Sequence, residues 1–409
     1  MSTTLITILG RTPKDANGYR PTKYHFDDGN QTQSLAFFGW ALQQRLHPQR
    51  MLILGTSGSM WDHLFEGDID LGDEGADERV SLIEACEGKQ VTQAQLDKLS
   101  PFLSKHLGCQ VELTLIPYAR DEVEQVELLS IMANHVPAGE SVHLDVTHGF
   151  RHLPMLSLLA ALYLRIVRNA SIEKIWYAAY DPDTGNAPVH DLSGLLRIAD
   201  GLQALASFDK DGDYGIFVPL LQQAGLSPAS TQALSEAAYF ENILNVGEAT
   251  GKLRKAREAG LDQAKLKPEA ELLLPAIRER LNWLDEKKQF EKQTQLARRA
   301  LERKDYLRAT LYAYESVITK LCLKDNVSIV DFEKREQSRK DYEAAQKNQR
   351  GQEHDDYKLL KNLRNQVAHG TRGSTGDIQK IMLNENLLQQ ILTKLLARIE
   401  NGDLPRTAG

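Results

Sequence analysis

The chain has 409 residues, of which 42% are hydrophobic and 26% charged, with a formal net charge of −7 at pH 7. A chain of this length is too long for a domain with one hydrophobic core. It therefore favours two or three domains, with enough buried surface to fold without disulfide bonds. The negative net charge argues against a protein that coats nucleic acid without regard to sequence, because such binding relies on an excess of lysine and arginine.

The cysteines and the hydropathy of the chain indicate the cellular compartment of the protein. The three cysteines, Cys86, Cys109 and Cys322, form neither a CxxC pair nor a cluster of metal ligands, which is typical of a reducing cytoplasm. The longest apolar stretch, residues 153–167, is too short for a membrane span and carries Arg165. The first residues also lack the basic start of a secretory signal. We therefore expect a cytoplasmic protein with no membrane segment.

The first 190 residues alternate short apolar runs with helical periods, which is typical of a mostly parallel sheet covered by helices. In chain order the predicted elements are a strand over 5–9, a helix over 32–46, strands over 51–54 and 111–116, a helix over 121–133, a strand over 142–146, a helix over 153–167 and a strand over 172–180. The pattern predicts a doubly wound, Rossmann-like α/β domain.

After about residue 195 the β-branched runs end, and the rest of the chain is predicted to be all α. Helical periods cover residues 195–208, 214–224, 231–245, 269–290, 291–324, 355–369 and 378–400. Residues 331–351 are highly charged and suit either an extended helix or a mobile loop. Residues 291–372 hold 18 Lys and Arg against 13 Asp and Glu, so the rest of the chain carries about −12. A polyanion site is therefore expected in the C-terminal part.

The end of the helix predicted over 355–369 brings three chemically useful side chains together. Asn365 and His369 share a helix face, and Arg364 lies about 100° round at its edge. An imidazole can take or give the proton when an RNA 2′-hydroxyl attacks the adjacent phosphate, while a guanidinium and an amide suit the phosphate oxygens. No Asp/Glu cluster lies nearby in the sequence, which favours metal-independent cleavage.

This patch has one histidine per chain, and cleavage needs both an acid and a base. Two copies meeting at a dimer axis would supply both, which predicts a composite site in a homodimer. The plainer interpretation is that Arg364 is a surface charge and His369 a helix C-cap.

Small and glycine residues follow three predicted strands at one edge of the sheet. They are Gly10, Arg11 and Thr12 after the first strand, Gly55, Thr56 and Ser57 after the second, and Thr147, His148, Gly149, Phe150 and Arg151 after the strand over 142–146. Ligands bind beyond the carboxyl ends of such strands, and helix starts attract anions. A crevice for a phosphate-rich ligand is therefore predicted, although the glycines are also compatible with tight turns alone. Neither GxGxxG nor a Walker loop is present, which disfavours dinucleotides and nucleoside triphosphates.

Two motifs give the chain a resemblance to a known family. Arg364-Asn-Gln-Val-Ala-His369 is similar to the RxxxxH motif of HEPN ribonucleases, and the helix around residues 297–315 resembles the long helix beside it. Asp145-Val-Thr-His-Gly149 resembles the DxTHG motif of a CRISPR-associated family that joins a CARF sensor domain to a HEPN ribonuclease. The segments around Tyr24 and from Gly55 to Asp62 resemble that family too. The likeness covers essentially the whole chain.

The resemblance implies an ancillary effector of type III CRISPR antiviral defence. It implies a CARF-like sensor over 1–190, a helical connector or the start of the HEPN domain over 191–290, and a HEPN ribonuclease over 291–409. Cyclic oligoadenylate, cyclic tetra-adenylate in preference to the hexa-adenylate, would bind the strand-end residues of a homodimer and activate cleavage of single-stranded RNA. Arg364, Asn365 and His369 would be catalytic, with no metal or other cofactor. Arg298, Arg299 and Arg303 would contact RNA phosphates.

Two other functions are compatible with the sequence. One is a non-catalytic, ligand-sensing regulator whose helical half binds a partner or DNA. Residues 195–409 contain no clear helix-turn-helix with a basic recognition helix, although residues 226–235 imitate one. The other is a CARF domain that cleaves its own cyclic ligand, with Thr56, Ser57 or His148 positioning a 2′-hydroxyl.

Overall fold

The computed structural model describes residues 3–16, 18–66, 69–149, 152–262, 265–347, 351–370 and 376–406, without the side chains of Asp15 and Glu74. The chain divides into two compact units, Met1–Leu196 and Arg197–Gly409. The first is α/β and the second is helical throughout its described residues, so the predicted fold class is confirmed. In the part of the chain that is described, no helix is both long and apolar enough to cross a bilayer.

The N-terminal unit is built on one large sheet. Its described strands are β1 (Thr3–Leu9), β2 (Lys14–Asp15), β3 (Gly18–Tyr19), β4 (Lys23–His25), β5 (Arg50–Gly55), β6 (Gln110–Leu115), β7 (Ser141–Asp145), β8 (Ser171–Ala178) and β9 (Asn186–Asp191). Its helices are α1 (Phe38–Leu46), α2 (Gly72–Gly88), α3 (Gln93–Leu107), α4 (Glu122–His135) and α5 (Leu153–Val167). Seven strands pair in the order β4-β9-β8-β7-β1-β5-β6.

The centre of this sheet is parallel and buried on both faces. The strands from β8 to β6 run parallel to their neighbours, while β9 is antiparallel to β8. Because side chains alternate along a strand, Leu5 and Leu9 join the core on one face and Ile6 and Ile8 the core on the other. The chain runs from β1 out to β5 and β6 and then returns to β7 on the far side of β1. This reversal places a ligand crevice at the carboxyl ends of β1, β5 and β7.

Several features of this unit differ from the prediction, beginning with the short strands β2, β3 and β4, which were not predicted. The helix predicted over 32–46 begins only at Phe38, because residues before it pair with the chain around β4 through the Thr22–Leu35 and His25–Gln31 bridges. The helices α2 and α3 were not predicted. Strand β9 was not predicted either, because it follows directly on the turn cluster that ends the preceding strand.

The C-terminal unit consists of helices joined by short connections. They are α6 (Gly194–Asp211), α7 (Val218–Gln223), α8 (Pro228–Asn242), α9 (Val246–Ala256), α10 (Pro268–Arg280), α11 (Gln289–Glu302), α12 (Tyr306–Lys324), α13 (Phe332–Gln346), α14 (Gln352–His369), α15 (Gly376–Met382) and α16 (Glu385–Glu400), and α6 begins at the boundary of the units. The most deeply buried is α12, which packs against α11, α13, α14 and α16.

The helix boundaries correct several predictions. The helix predicted over 291–324 is two helices, because the backbone of Lys304 is left-handed (φ 63°) and Asp305 caps the start of α12 by accepting the Arg308 N–H at 3.0 Å. The helix predicted over 378–400 is likewise interrupted, with Asn384 capping α16. The charged segment 331–351 contains the helix α13, and α9 was not predicted.

Candidate functional site

The carboxyl ends of β1, β5 and β7 open into a cavity of about 380 Å³. Six of the predicted ligand-binding residues line it: Gly10, Arg11, Thr56, Thr147, His148 and Gly149. Gly58 and Ser59 of the same loop after β5 also line it, together with four apolar residues that were not predicted: Ile8, Leu9, Ile116 and Leu153. The predicted residues Thr12, Gly55 and Ser57 are not among the lining, and Phe150 and Arg151 lie outside the described residues.

Close backbone approach at Gly10 holds the three strand ends together. A Cβ atom at this position would lie 2.6 Å from the backbone nitrogen of Gly149, which is closer than real contacts allow. Gly149 itself has φ of 106°, a conformation that favours glycine. The Gly10 carbonyl accepts the N–H of Met60 at 3.0 Å, which ties in the loop after β5. These glycines therefore shape the crevice as well as allow its turns.

The imidazole of His148 is a neutral group. The N–H of Phe38 donates to its Nε2 at 3.1 Å, and its ring centroid lies 5.8 Å from that of Phe37. Burial of the ring, together with the nearby His63, lowers the pKa of His148 to about 4. With Nε2 accepting, the ring proton is on Nδ1. His148 therefore offers the crevice a hydrogen-bond donor but no full positive charge.

Asp145 holds the turn that follows β7. It is fully buried, accepts the Thr7 hydroxyl at 2.6 Å and accepts the Thr147 N–H at 2.8 Å. Burial raises its pKa to about 6, although both threonine contacts oppose the shift. The Thr147 hydroxyl accepts the N–H of Ala178 at 2.9 Å and also hydrogen-bonds the Asp145 carboxyl group, so it is engaged within the turn. The aspartate of this motif therefore holds the turn in place.

The loop after β5 is held by its own side chains. The N–H of Thr56 donates to the Ser59 hydroxyl at 3.0 Å, and the Thr56 carbonyl accepts the indole N–H of Trp61 at 2.9 Å. The Ser57 hydroxyl lies 3.3 Å from the Tyr118 hydroxyl. Arg11 is the cation among the described lining residues, and one edge of its guanidinium donates to the Cys86 carbonyl at 2.9 Å. The crevice thus presents one cation and several hydroxyl and N–H donors.

The second candidate site lies near the end of α14. Arg364 Nη1 donates to Asn365 Oδ1 at 3.1 Å, and its guanidinium lies 5.6 Å from the ring centroid of Tyr314 on α12. Its Nε is buried without a hydrogen-bond partner, and no carboxylate of the described residues pairs with the guanidinium. His369 is one turn further, exposed at the last residue of α14. All three predicted residues are therefore on one helix, with Arg364 and Asn365 in contact.

A cavity of about 400 Å³ opens beside Arg364 and Asn365. Its further lining residues come from α12, α13 and α14: Tyr314, Glu315, Ile318, Phe332, Arg335, Glu336, Arg339 and Lys361. The other cations of this cavity have carboxylate partners, since Arg335 pairs with Glu315 at 2.6 Å and Lys361 with Glu343 at 2.7 Å. Arg339 pairs with Glu336 and Glu343. Among its described lining cations, Arg364 alone is left available to an anionic ligand.

A neighbouring cavity of about 410 Å³ extends the basic surface. It shares Lys361 with the first and adds the lysines Lys340, Lys347 and Lys358, against which Glu343 is its carboxylate among the described lining residues. The prediction named none of these side chains. In the sequence these lysines belong only to a highly charged stretch over residues 331–361. Their common position follows from the structure, in which α13 and α14 line one cavity.

The three arginines predicted to contact RNA make contacts within the chain. Arg298 Nε donates to Glu400 at 3.0 Å, and Arg299 donates to the Arg280 carbonyl and to the Asn282 side chain. The guanidinium of Arg303 lies 5.9 Å from the ring centroid of Phe208. None of them lines the cavity beside Arg364. A role in RNA binding stays a prediction for all three.

Clusters of potential metal ligands are absent from the described part of the chain. No group of three or more His, Cys, Asp or Glu side chains is placed there to hold a metal ion.

The crevice lies in the part of the chain that is similar to a known domain family. Residues 4–182 match the model of the CARF domain of CRISPR system endoribonuclease Csx1. CRISPR-associated protein MJ1674 of Methanocaldococcus jannaschii is 22% identical over an alignment that covers 95% of this chain and 67% of that protein. Among solved structures, Enterococcus italicus Csm6 bound to cyclic hexa-2′-fluoro-hexa-dAMP aligns with a TM-score of 0.39 and 13% identity, covering 100% of this chain and 95% of that one. The matched residues 4–182 include all three strand ends of the crevice.

Proposed function

Since the chain is a CARF-containing ancillary protein of type III CRISPR systems, we propose that it is an endoribonuclease activated by cyclic oligoadenylate. The ligand binds in the crevice at the ends of β1, β5 and β7, and activation leads to cleavage of single-stranded RNA at Arg364, Asn365 and His369. The observation that carries the proposal is the side chain of Arg364. It lines a cavity, has no carboxylate partner in the described chain, and lies five residues before an exposed imidazole on the same helix.

The ligand is an anion whose phosphates need donors. The crevice supplies the Arg11 guanidinium and the neutral His148 ring, with the hydroxyl groups of Thr56 and Ser59 beside them. A cyclic oligoadenylate on a two-fold axis contacts the same residues of two copies at once, which explains why a homodimer is the proposed active form. Within this ligand class we propose cyclic tetra-adenylate as the preferred activator.

The cleavage chemistry follows from the side chains at the end of α14. One His369 accepts the proton of the RNA 2′-hydroxyl as its oxygen attacks the adjacent phosphorus, and the His369 of a second copy protonates the departing 5′-oxygen. Arg364 stabilises the charge that develops on the phosphate oxygens. Asn365 orients the Arg364 guanidinium by accepting a hydrogen bond from it. The products are a 2′,3′-cyclic phosphate and a free 5′-hydroxyl, formed without a metal.

The basic cavities suggest how RNA reaches this patch. Lys340, Lys347 and Lys358 lie beside Lys361, which borders the cavity of Arg364. Lysines placed along a groove bind the RNA backbone whatever its base sequence, so cleavage would be non-specific and sensitive to salt.

The domain division belongs to the same proposal. Residues 1–190 form the CARF sensor, 191–290 a connector or the start of the nuclease domain, and 291–409 a HEPN ribonuclease domain. The compact units divide between Leu196 and Arg197, and α11 begins at Gln289, near the proposed start of the nuclease domain. Both boundaries support the division.

A reporter assay tests the proposal. Purified protein is mixed with a fluorescent single-stranded RNA, with no ligand, cyclic tetra-adenylate or cyclic hexa-adenylate, each with and without EDTA. We expect cyclic tetra-adenylate to stimulate cleavage most strongly, EDTA to leave it intact, and the products to carry 2′,3′-cyclic phosphates. A 2′-deoxy substitution at the cut site stops the reaction. Products with 5′-phosphates, or full dependence on Mg²⁺, would show that the proposed chemistry is wrong.

A further inference from the structure

A larger cavity lies on the opposite face of α12 from the patch at Arg364. Tyr314, Glu315 and Ile318 face the patch, whereas Lys320, Leu323 and Lys324 line the other cavity, and these two sets are on opposite sides of a helix with 3.6 residues per turn. The volume of this second cavity is about 930 Å³. Cavities of roughly 300–1,000 Å³ are the usual size of small-molecule sites.

The ammonium group of Lys320 faces this cavity from a buried position. The residue is 6% exposed, and its ammonium has no hydrogen-bond or ion-pair partner among the described residues. Nζ lies 5.7 Å from the ring centroid of Phe290 and 3.9 Å from the place of a Cβ atom on Gly402, and both of those residues line the cavity. The side chain is mostly buried while its ammonium group opens onto the cavity without a carboxylate partner in the described part of the chain, so an anionic ligand would compensate its charge.

A second buried lysine, Lys292, differs from Lys320 because its ammonium group has hydrogen-bond partners. Lys292 is 2% exposed, and its ammonium donates to the backbone carbonyls of Leu284 and Glu286. Burial lowers the pKa of both lysines, while Asp403 and Glu353 raise that of Lys320. Backbone acceptors therefore satisfy Lys292, whereas Lys320 is directed at open space.

The surroundings of Lys320 suit a phosphorylated aromatic ligand. Lys288 Nζ also lies 5.7 Å from the Phe290 ring centroid, so two ammonium groups flank one half-buried aromatic ring. The other cations are engaged, because Arg298 pairs with Glu400 and Lys324 donates to the Arg406 carbonyl at 3.4 Å. Ammonium groups bind phosphate as point charges, and an aromatic ring stacks with any nucleobase.

We propose that this cavity binds a nucleotide, with its phosphate on Lys320 and Lys288 and its base against Phe290. Gln295 and Asn401, which also line the cavity, are placed to hydrogen-bond the sugar or the base. The site is separate from both the strand-end crevice and the Arg364 patch. It does not depend on the function proposed for either of them.

Thermal unfolding and calorimetry of the full chain test this site with AMP, adenosine and inorganic phosphate. We expect AMP to raise the unfolding temperature of the wild type, phosphate to raise it less, and adenosine to have the smallest effect. Lys320→Met should unfold at a higher temperature than the wild type without ligand, because it removes an unpaired charge, and should bind AMP at least about tenfold more weakly. Lys394→Met, which removes an exposed lysine from α16, is the control and should match the wild type.

Lys320→Gln gives a second neutral variant and should lose AMP binding in the same way. Equal AMP shifts in the wild type and both variants would overturn the proposal, as would no shift in the wild type. Adenosine acting as strongly as AMP would show that Lys320 does not bind a phosphate. Unfolding of Lys320→Met at or below the wild-type temperature would show that its charge is already compensated.

Discussion

His148 and Asp145 lie three residues apart at the end of β7, and their pKa values are shifted in opposite directions. Burial lowers the pKa of His148 from 6.5 to about 4, so its contribution to stability is complete above pH 6.5 and is lost as the pH falls through 4. Burial raises the pKa of Asp145 from 3.8 to about 6, so its contribution is complete below pH 3.8 and is lost as the pH rises through 6. Between pH 4 and 6 the two dependences oppose each other.

Asp145→Asn should remove one of these opposing dependences. The variant can keep the bond from the Thr147 N–H, and only the histidine dependence remains. Its unfolding free energy should then fall more steeply than that of the wild type between pH 6.5 and 4, by up to about 3 kcal/mol for a shift of this size. Denaturant unfolding at several pH values measures this, with the exposed Asp183→Asn as control. Parallel curves for wild type and Asp145→Asn would mean that Asp145 does not titrate in this range.

Arg364→Lys tests whether a guanidinium, and not simply a positive charge, is needed at the patch. A lysine cannot present the planar fork that contacts Asn365 and matches phosphate oxygens. We expect stimulated RNA cleavage to fall roughly 10²-fold, with the unfolding midpoint nearly unchanged. Arg254→Lys, an exposed position on α9, is the control. Wild-type cleavage by Arg364→Lys would remove Arg364 from the catalytic group.

At the scale of elements, the break between α11 and α12 depends on one cap. Asp305 accepts the Arg308 N–H and so satisfies a free donor at the start of the most buried helix. Asp305→Ala should lower the unfolding free energy by about 1 kcal/mol in urea titrations. Asp325→Ala, at the other end of α12, should leave it unchanged or slightly higher, because a negative charge there opposes the helix dipole. Equal effects of the two variants would contradict the capping role.

The second feature at the scale of elements is the close contact between the end of β1 and the loop after β7. Gly10→Ala places a Cβ atom 2.6 Å from the Gly149 nitrogen, so the two segments must move apart and the crevice must change shape. We expect calorimetry to show affinity for cyclic tetra-adenylate at least about tenfold weaker, since displaced donors no longer meet the phosphates. The control is Gly251→Ala, whose added methyl meets no atom within 4 Å. Unchanged affinity in Gly10→Ala would place the ligand elsewhere.

The sequence predicted the elements whose pattern is local. Buried strands such as β1, β5 and β7 are short apolar runs, and the strand-end residues around Gly10 and His148 follow them directly. The weakly amphipathic α2 was not predicted, and neither were the caps that divide two long helical periods, because a left-handed residue such as Lys304 carries no hydrophobic signal. The basic residues beside Arg364 were missed for another reason, since they come from helices that only tertiary packing brings together.

At the scale of the whole molecule, the proposed function requires a ligand in one compact unit to control chemistry in the other. A ligand shifts such an equilibrium only by its difference in affinity for the inactive and active arrangements. In the proposed mechanism, the active arrangement must place the His369 side chains of both copies where they act as base and acid. Removing it should therefore abolish cleavage while leaving ligand binding intact.

The most direct measurement combines calorimetric titration of cyclic tetra-adenylate with RNA cleavage in the same samples of wild type, His369→Ala and His106→Ala. His106 is an exposed histidine in the last turn of α3 and so matches His369 in type, exposure and place on its helix. We predict that all three proteins bind the ligand equally and that only His369→Ala loses stimulated cleavage, by roughly 10²-fold or more. Stimulated cleavage by His369→Ala at the wild-type rate, or a wild type that binds no cyclic oligoadenylate, would contradict the account.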